Sequence, residues 1–166
     1  PVVFMTYYNP VHRRGAERFA ADVEASGAAG LIVPDLPHEE WGPLARALGA
    51  RGLAAVQLIS PTTPPERTAT IVAACSGFVY AVSRLGVTGE RGALDEAASV
   101  VVERIRPHTR LPVLLGIGIS GREQAWRAAA LADGVIVGSA VVRKVLDGDL
   151  PGALSLAWEI RSALDG

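Results

Sequence analysis

Three glycine-bearing segments carry the clearest chemical signal in this sequence: SRLGVTGERGAL (83–94), LGIGIS (115–120) and VGSAVV (137–142). Each follows a short apolar run and leads toward an Ala-rich amphipathic stretch. Gly89, Gly118 and Gly138 would let backbone N–H groups approach a phosphate with no Cβ in the way. Ser139 would open a short helix whose N-terminal dipole favours a dianion. Taken singly, each glycine is ordinary turn punctuation and Ser139 an ordinary helix cap. Three in consecutive units, ending in Gly-Ser after the last apolar run, favour a phosphate site over that plainer account.

The other reactive side chains point to less. His12, His38 and His108 are scattered and show no metal-ligand spacing, so no metal is expected. His38 adjoins Glu39 and Glu40 at a helix start, where acids suit the dipole. Cys75 is the single cysteine, which precludes an internal disulfide and suggests a reducing cytoplasm. At an apolar helix end it reads as core rather than nucleophile. Trp41, Trp126 and Trp158 fall on helices and are expected to pack there. Asp35, between Pro34 and Leu36-Pro37, reads by itself as a turn aspartate.

The elements that must position these groups alternate in type. Apolar runs at Val2 to Tyr7, Gly30 to Val33, Ala54 to Ile59, Gly77 to Val82, Pro112 to Gly116 and Gly134 to Val137 read as strands. Their Val, Leu and Ile content, with little polar alternation, marks strands buried on both faces. Helices are expected at about 15–26, 38–50, 64–74, 95–106, 120–131, 139–147 and 151–164. Ser120 with Glu123, and Thr63 with Glu66, have the spacing of capping boxes. Gly27 stands where a helix C′ glycine belongs.

The chain has 166 residues, 49% hydrophobic and 20% charged, with net charge −1. That is enough for one well-packed domain. No basic run marks a nucleic-acid or acidic-membrane partner. No apolar run approaches the roughly 20 residues of a membrane span, and the opening PVVFMTYYNP lacks the basic region of a signal peptide.

Six βα units admit an open doubly wound sheet or a (β/α)₈ barrel. The first would typically carry a Gly-rich dinucleotide turn after its first strand, whereas Tyr7-Tyr8-Asn9-Pro10 stands there. A (β/α)₈ barrel usually needs about 250 residues, roughly 80 more than are present. The barrel reading therefore takes the chain as a single, N-terminally incomplete domain with six of eight units.

The strings TYYNP, GLIVPDLPHEE, FVYAVSRLGVTG, GIGIS and DGVIVGSAVV follow one another as they do in tryptophan synthase α subunits, and the chain resembles that family from Pro1 to about Val145. The resemblance implies an α/β fold of the (β/α)₈ (TIM) barrel type and a lyase of tryptophan biosynthesis. That family splits indole-3-glycerol phosphate into indole and glyceraldehyde 3-phosphate by a retro-aldol reaction. It implies no cofactor in this chain, with pyridoxal phosphate confined to a partner β subunit that receives the indole. Gly89, Gly118, Gly138 and Ser139 fall on the family's phosphate-binding positions. Tyr80 and Tyr7 fall on pocket tyrosines, Arg84 and Thr88 on the mobile lid segment, and Asp35 and Asn9 on loops facing the β subunit. The lid segment is slightly shorter than in some relatives, and Ile117 takes a pocket position often filled by an aromatic.

The resemblance also implies two catalytic carboxylates, a glutamate at the end of the first barrel strand and an aspartate after the second. Both positions lie upstream of the segment that TYYNP begins, so no residue here takes their place. Without the first two strands, those at Val2 and Gly134 are expected to be open edges. The alternative to a lyase is an inactive barrel fragment or relative that binds a β subunit or a phosphorylated ligand.

Overall fold

A computed structural model describes residues 1–82, 91–116 and 118–164, of which 91–96 by backbone. The chain opens with β1 (Val3–Met5), followed at once by α1 (Tyr8–Arg14) and α2 (Ala16–Ala25). Helix α1 is absent from the sequence-based expectation, which ran the first strand on to Tyr7. Pro10 sits in its first turn, where the missing N–H costs nothing, and His12, Arg13 and Arg14 fill its last turn, where cations suit the dipole. Gly15, at φ 82°, ends it by donating its N–H to the Val11 carbonyl at 2.9 Å. Gly27 closes α2 as expected, with φ 77° and an N–H bond to Glu24 O at 2.9 Å.

Next come β2 (Gly30–Ile32), a 3₁₀ turn at His38–Glu40, α3 (Gly42–Gly49), β3 (Ala54–Val56), β4 (Leu58–Ile59) and α4 (Pro65–Ala73). The remainder alternates: β5 (Val79–Val82), α5 (Arg91–Ile105), β6 (Val113–Gly116), α6 (Arg122–Ala129), β7 (Gly134–Ile136), α7 (Ser139–Leu146) and α8 (Leu150–Leu164). Every strand pairing is parallel, in the orders β1-β2-β3 and β4-β5-β6-β7. β3 and β4 are one extended run interrupted at Gln57, whose carbonyl accepts the Tyr80 N–H at 3.2 Å. The result is a six-strand parallel arc with helices outside it, the α/β pattern expected of consecutive βα units.

Alternate strand residues face opposite ways. Ile32, Val56 and Tyr80 meet on the inner face with Leu58, Val82 and Ile136 at their margin. Outer residues pack under the helices: Leu31, Val33 and Ala55 against Leu44 and Leu48, and Ile59, Val79, Val113 and Leu115 against Val101, Ile105 and Ala125.

Burial on both faces holds for β2, β5 and β6 but not for the ends of the arc. In β1, Phe4 is 42% and Met5 57% exposed, and all of β7 is half-buried. Among the described residues each of these strands pairs on one side only, so both are open edges. Trp41 packs as expected and donates its Nε1–H to Leu36 O at 3.1 Å. Trp126 and Trp158 do not; they stand on the outward faces of α6 and α8, 64% and 72% exposed. Neither capping box forms, because the helices begin later than the pattern suggested. Thr63 accepts the Ser60 N–H ahead of α4, and the Ser120 N–H and hydroxyl both donate to Gln124 Oε1.

Asp133, just before β7, ties the 3₁₀ turn that follows α5 (Arg106–His108) to β6. Its Oδ2 accepts from Arg106 at 2.6 Å and from the Val113 N–H at 2.8 Å. The Arg106 hydrogen bond, then that of Val113, holds the carboxyl below its ordinary 3.8. A depressed carboxyl contributes stability in full above the unfolded value and loses it as pH falls through the folded one. Urea unfolding should therefore show a loss of stability below about pH 4 that is smaller in Asp133→Asn than in the parent. Identical pH profiles would contradict the role.

Candidate phosphate site at the strand ends

The register of β5, β6 and β7 sets the geometry of the rim. Val82 pairs with Gly116, and Gly116 with Ile136, so the three strands end level. Two residues beyond these ends in sequence lie Gly118 and Gly138, on the turns that follow the paired strands β6 and β7. Both are exposed, and Gly118 has φ 86°, a conformation that favours glycine. Arg84, Thr88, Gly89 and Ile117 lie outside the described residues.

Gly138 is the N-cap of α7, and its carbonyl accepts from Val141 at 3.1 Å and Val142 at 3.0 Å. Ser139 is the first helical residue rather than the cap, and no side chain caps this helix. With Val141 bonded to Gly138, the Ser139 and Ala140 N–H groups are the first-turn donors left without an intrahelical partner, at the positive end of the dipole. A Cβ built on Gly138 would meet nothing within 4 Å. The space above this residue is open, whereas a glycine needed only for packing would have neighbours.

Tyr80 stands below the rim on the inner face, 7% exposed, where burial raises its phenol pKa. Gly116 makes room for it. A Cβ there would lie 2.5 Å from Tyr80 Cε2 and 2.7 Å from Oη, distances that no folded structure tolerates without movement. Gly116→Ala should displace the ring at a cost of about 1–3 kcal/mol, the usual range for overpacking. Equilibrium unfolding reads this loss, and a variant as stable as the parent would contradict the contact.

Tyr7 is elsewhere. It precedes α1 at the open β1 edge, is 69% exposed, and does not join the inner cluster with Tyr80. Asn9 lies in α1 rather than in a loop, which corrects the sequence-based placement. Asp35 does occupy a turn, after β2, and its Oδ1 accepts the Tyr8 N–H at 2.8 Å. The structure thus brings Asp35 and the Tyr7–Asn9 segment together, and puts Gly118, Gly138 and Ser139 just past the ends of the paired strands β6 and β7.

Gln57 was not singled out by the sequence. Its side chain lies outside the barrel interior, 3% exposed, and its Oε1 is 2.9 Å from His38 Nδ1. Its amide nitrogen has no partner among the described residues. With Trp41, Thr63 and Arg67 it lines a cavity of about 260 Å³. A polar residue in an otherwise apolar strand was the available signal. Cys75 packs against the larger core, and burial pushes its thiol up to about 11, the opposite of an activated nucleophile. Among the described residues no group of three or more His, Cys, Asp or Glu side chains could hold a metal ion.

The family model for the tryptophan synthase alpha chain matches residues 1–153. The chain belongs to that family. It is 44% identical to the tryptophan synthase alpha chain of Streptomyces avermitilis, covering 100% of this chain and 62% of the relative. It is 46% identical to that of Mycobacterium ulcerans, covering 98% and 60%. Among solved structures, Mycobacterium tuberculosis tryptophan synthase superimposes with a TM-score of 0.87 at 42% identity, over 98% of this chain and 62% of that one. A tryptophan synthase complex from Pyrococcus furiosus gives 0.83 at 32% identity, over 100% and 66%. The chain spans about three fifths of the length of the curated relatives it matches. The shared fold is the (β/α)₈ barrel, of which the six-strand arc supplies six consecutive strands. No helix among the described residues is long and apolar enough to cross a membrane.

Proposed function

We propose that this chain supplies the phosphate site, part of the substrate pocket and the lid segment of a tryptophan synthase α-type lyase. The reaction is the retro-aldol cleavage of indole-3-glycerol phosphate to indole and glyceraldehyde 3-phosphate. The observation that carries the reading is that Gly118 and Gly138 each follow by two residues the level ends of the paired strands β6 and β7, with Ser139 at the uncapped N-terminus of α7. Family membership gives that rim a phosphorylated substrate, and the open helix end is the physical means of holding it.

In this reading Gly89, Gly118, Gly138 and Ser139 bind the phosphate, and Tyr80 and Tyr7 border the indole. Arg84 and Thr88 serve the lid, while Asp35 and Asn9 face a β subunit. The chemistry needs only proton transfer at the ring and at the cleaved glycerol hydroxyl, so this chain works without a cofactor. Pyridoxal phosphate belongs to the β partner, and the assembly works in the cytoplasm. The single domain is a barrel completed by two further βα units.

Calorimetry with glycerol 3-phosphate tests the site. Saturable binding of one equivalent is expected, falling with added inorganic phosphate. No binding at millimolar ligand, with the fold verified by circular dichroism, would overturn the assignment.

A further inference from the structure

Val56 and Leu58 face the inner cluster, so Gln57 between them points the other way, toward the helix layer. It is 3% exposed, and its amide nitrogen is buried without a partner among the described residues. A buried amide with no partner is destabilising, so packing alone does not account for a glutamine at this place.

The side chain lines a cleft of about 260 Å³ between the turn after β2 and the first turns of α4. Leu36 and Trp41 are buried with it and form the floor, while Pro34, Thr62 and Arg67 are exposed and mark the mouth. Trp41 is a fixed wall, because its indole N–H is bound to Leu36 O. An apolar cavity of about 150 Å³ admits benzene, so the cleft has room for a single substituted ring. At the mouth Arg67 donates to both carboxylate oxygens of Glu39, at 2.5 and 2.8 Å. An anion entering the cleft therefore meets a cation that already has its partner.

One hydrogen bond sets the polar end. Gln57 Oε1 lies 2.9 Å from His38 Nδ1, and His38 also lines the cleft. A neutral imidazole donates at one ring nitrogen and accepts at the other, and a primary amide carries both a donor and an acceptor. If Nδ1–H donates to the amide oxygen, the Gln57 NH₂ and the His38 Nε2 lone pair are left over. If the amide is turned over, its oxygen and the Nε2–H are left instead. Either way the pair offers one donor and one acceptor. We infer that this cleft binds a small uncharged aromatic amide, its N–H and C=O paired with Gln57 and His38 and its ring against Trp41. A hydrocarbon ring leaves Gln57 unpaired, and a carboxylate brings two acceptors to a pair with one donor.

The test is a benzamide titration of the chain by heteronuclear NMR, with the Gln57 side-chain amide assigned by its absence from Gln57→Leu. Saturable shifts of that amide and of the Trp41 indole N–H are expected, with the millimolar affinity of a small fragment. Leucine replaces an unpaired amide by an apolar group of similar size, so Gln57→Leu should be at least as stable as the parent. It should weaken benzamide about tenfold, the worth of one hydrogen bond, while toluene binds parent and variant within a few-fold. His38→Phe should weaken benzamide in the same way, which keeps the test open should Gln57→Leu fail to fold. Benzoate should bind more weakly than benzamide. No saturable shift at Gln57, equal losses for benzamide and toluene in Gln57→Leu, or benzoate binding as tightly as benzamide would each overturn the site. None of these readings depends on glycerol 3-phosphate, so the two proposals fail separately.

Discussion

Gly138→Asp should abolish measurable binding of glycerol 3-phosphate while leaving the fold as stable as before, or slightly more so. The two effects have opposite signs for one reason. Gly138 is the N-cap of α7, and no side chain caps that helix. Aspartate is among the best N-cap residues and improves on glycine by a few tenths of a kcal/mol. Its Cβ enters space with no atom within 4 Å, so no packing penalty offsets the gain. For a phosphate dianion the same carboxylate is a competitor. It occupies the N–H groups at the helix end and repels the ligand at short range. Losing charge-assisted hydrogen bonds of about 1.5–3 kcal/mol each amounts to a hundredfold or more in affinity. Gly138→Ala adds the Cβ without the charge and should bind within a few-fold of the parent. Gly27→Ala is the complementary control, straining a backbone at φ 77° far from the rim. It should cost about 1 kcal/mol of stability and no affinity. Calorimetry beside urea unfolding separates these outcomes; undiminished affinity in Gly138→Asp would remove the phosphate assignment.

The parts of this picture that were legible in the sequence are those with a local cause. Val-, Leu- and Ile-rich runs located every strand, because a strand covered on both faces leaves no room for polar alternation. Gly27 and the order of βα units followed from backbone chemistry in the same way. What escaped depended on distant neighbours. α1 is too short to show a period, and its cap arrives from Asp35 in another unit. The two expected capping boxes failed because propensity cannot fix a helix start to the residue. α4 begins after Pro64 and α6 after Gly121, each past the serine or threonine that was to cap it. Burial of β1 was overestimated because an edge strand has the same composition as a central one when another element is to cover it. The Gln57–His38 contact joins residues 19 apart, and the clearance that Gly116 gives Tyr80 joins strands 36 apart in sequence by number. Neither leaves a periodic trace. For the site, the glycines were readable and their mutual level was not, since only strand register sets it.

The largest expected effect concerns turnover. The 166 residues alone should release no indole from indole-3-glycerol phosphate above background, however well they bind its phosphate. In the proposed reading the rim offers donors to an anion, and among the described residues Tyr80 meets Ile32 and Val56 on the inner face. Burial raises that phenol's pKa, which leaves it neutral and a poor base at pH 7. In the proposed reading the two carboxylates of the family's chemistry lie on the barrel strands that this arc does not include. General acid–base groups are worth about 10²–10⁴-fold each, so lacking both costs roughly 10⁴-fold or more. The open edges compound the loss. β1 and β7 present unpaired backbone beside exposed Val2, Phe4 and Met5 at one end of the arc, and Val142, Leu146, Leu154 and Trp158 stand exposed on α7 and α8. Such edges invite association between chains unless further strands cover them. A direct assay for indole with the isolated chain, then with the two preceding βα units of an actinobacterial relative supplied in trans, separates the contributions. Activity only in the second case would show that the phosphate end and the proton-transfer end of the pocket lie on separable parts of one barrel. Robust turnover by the first would mean that a group among these residues performs the proton transfer, and Tyr80 would be the first to replace.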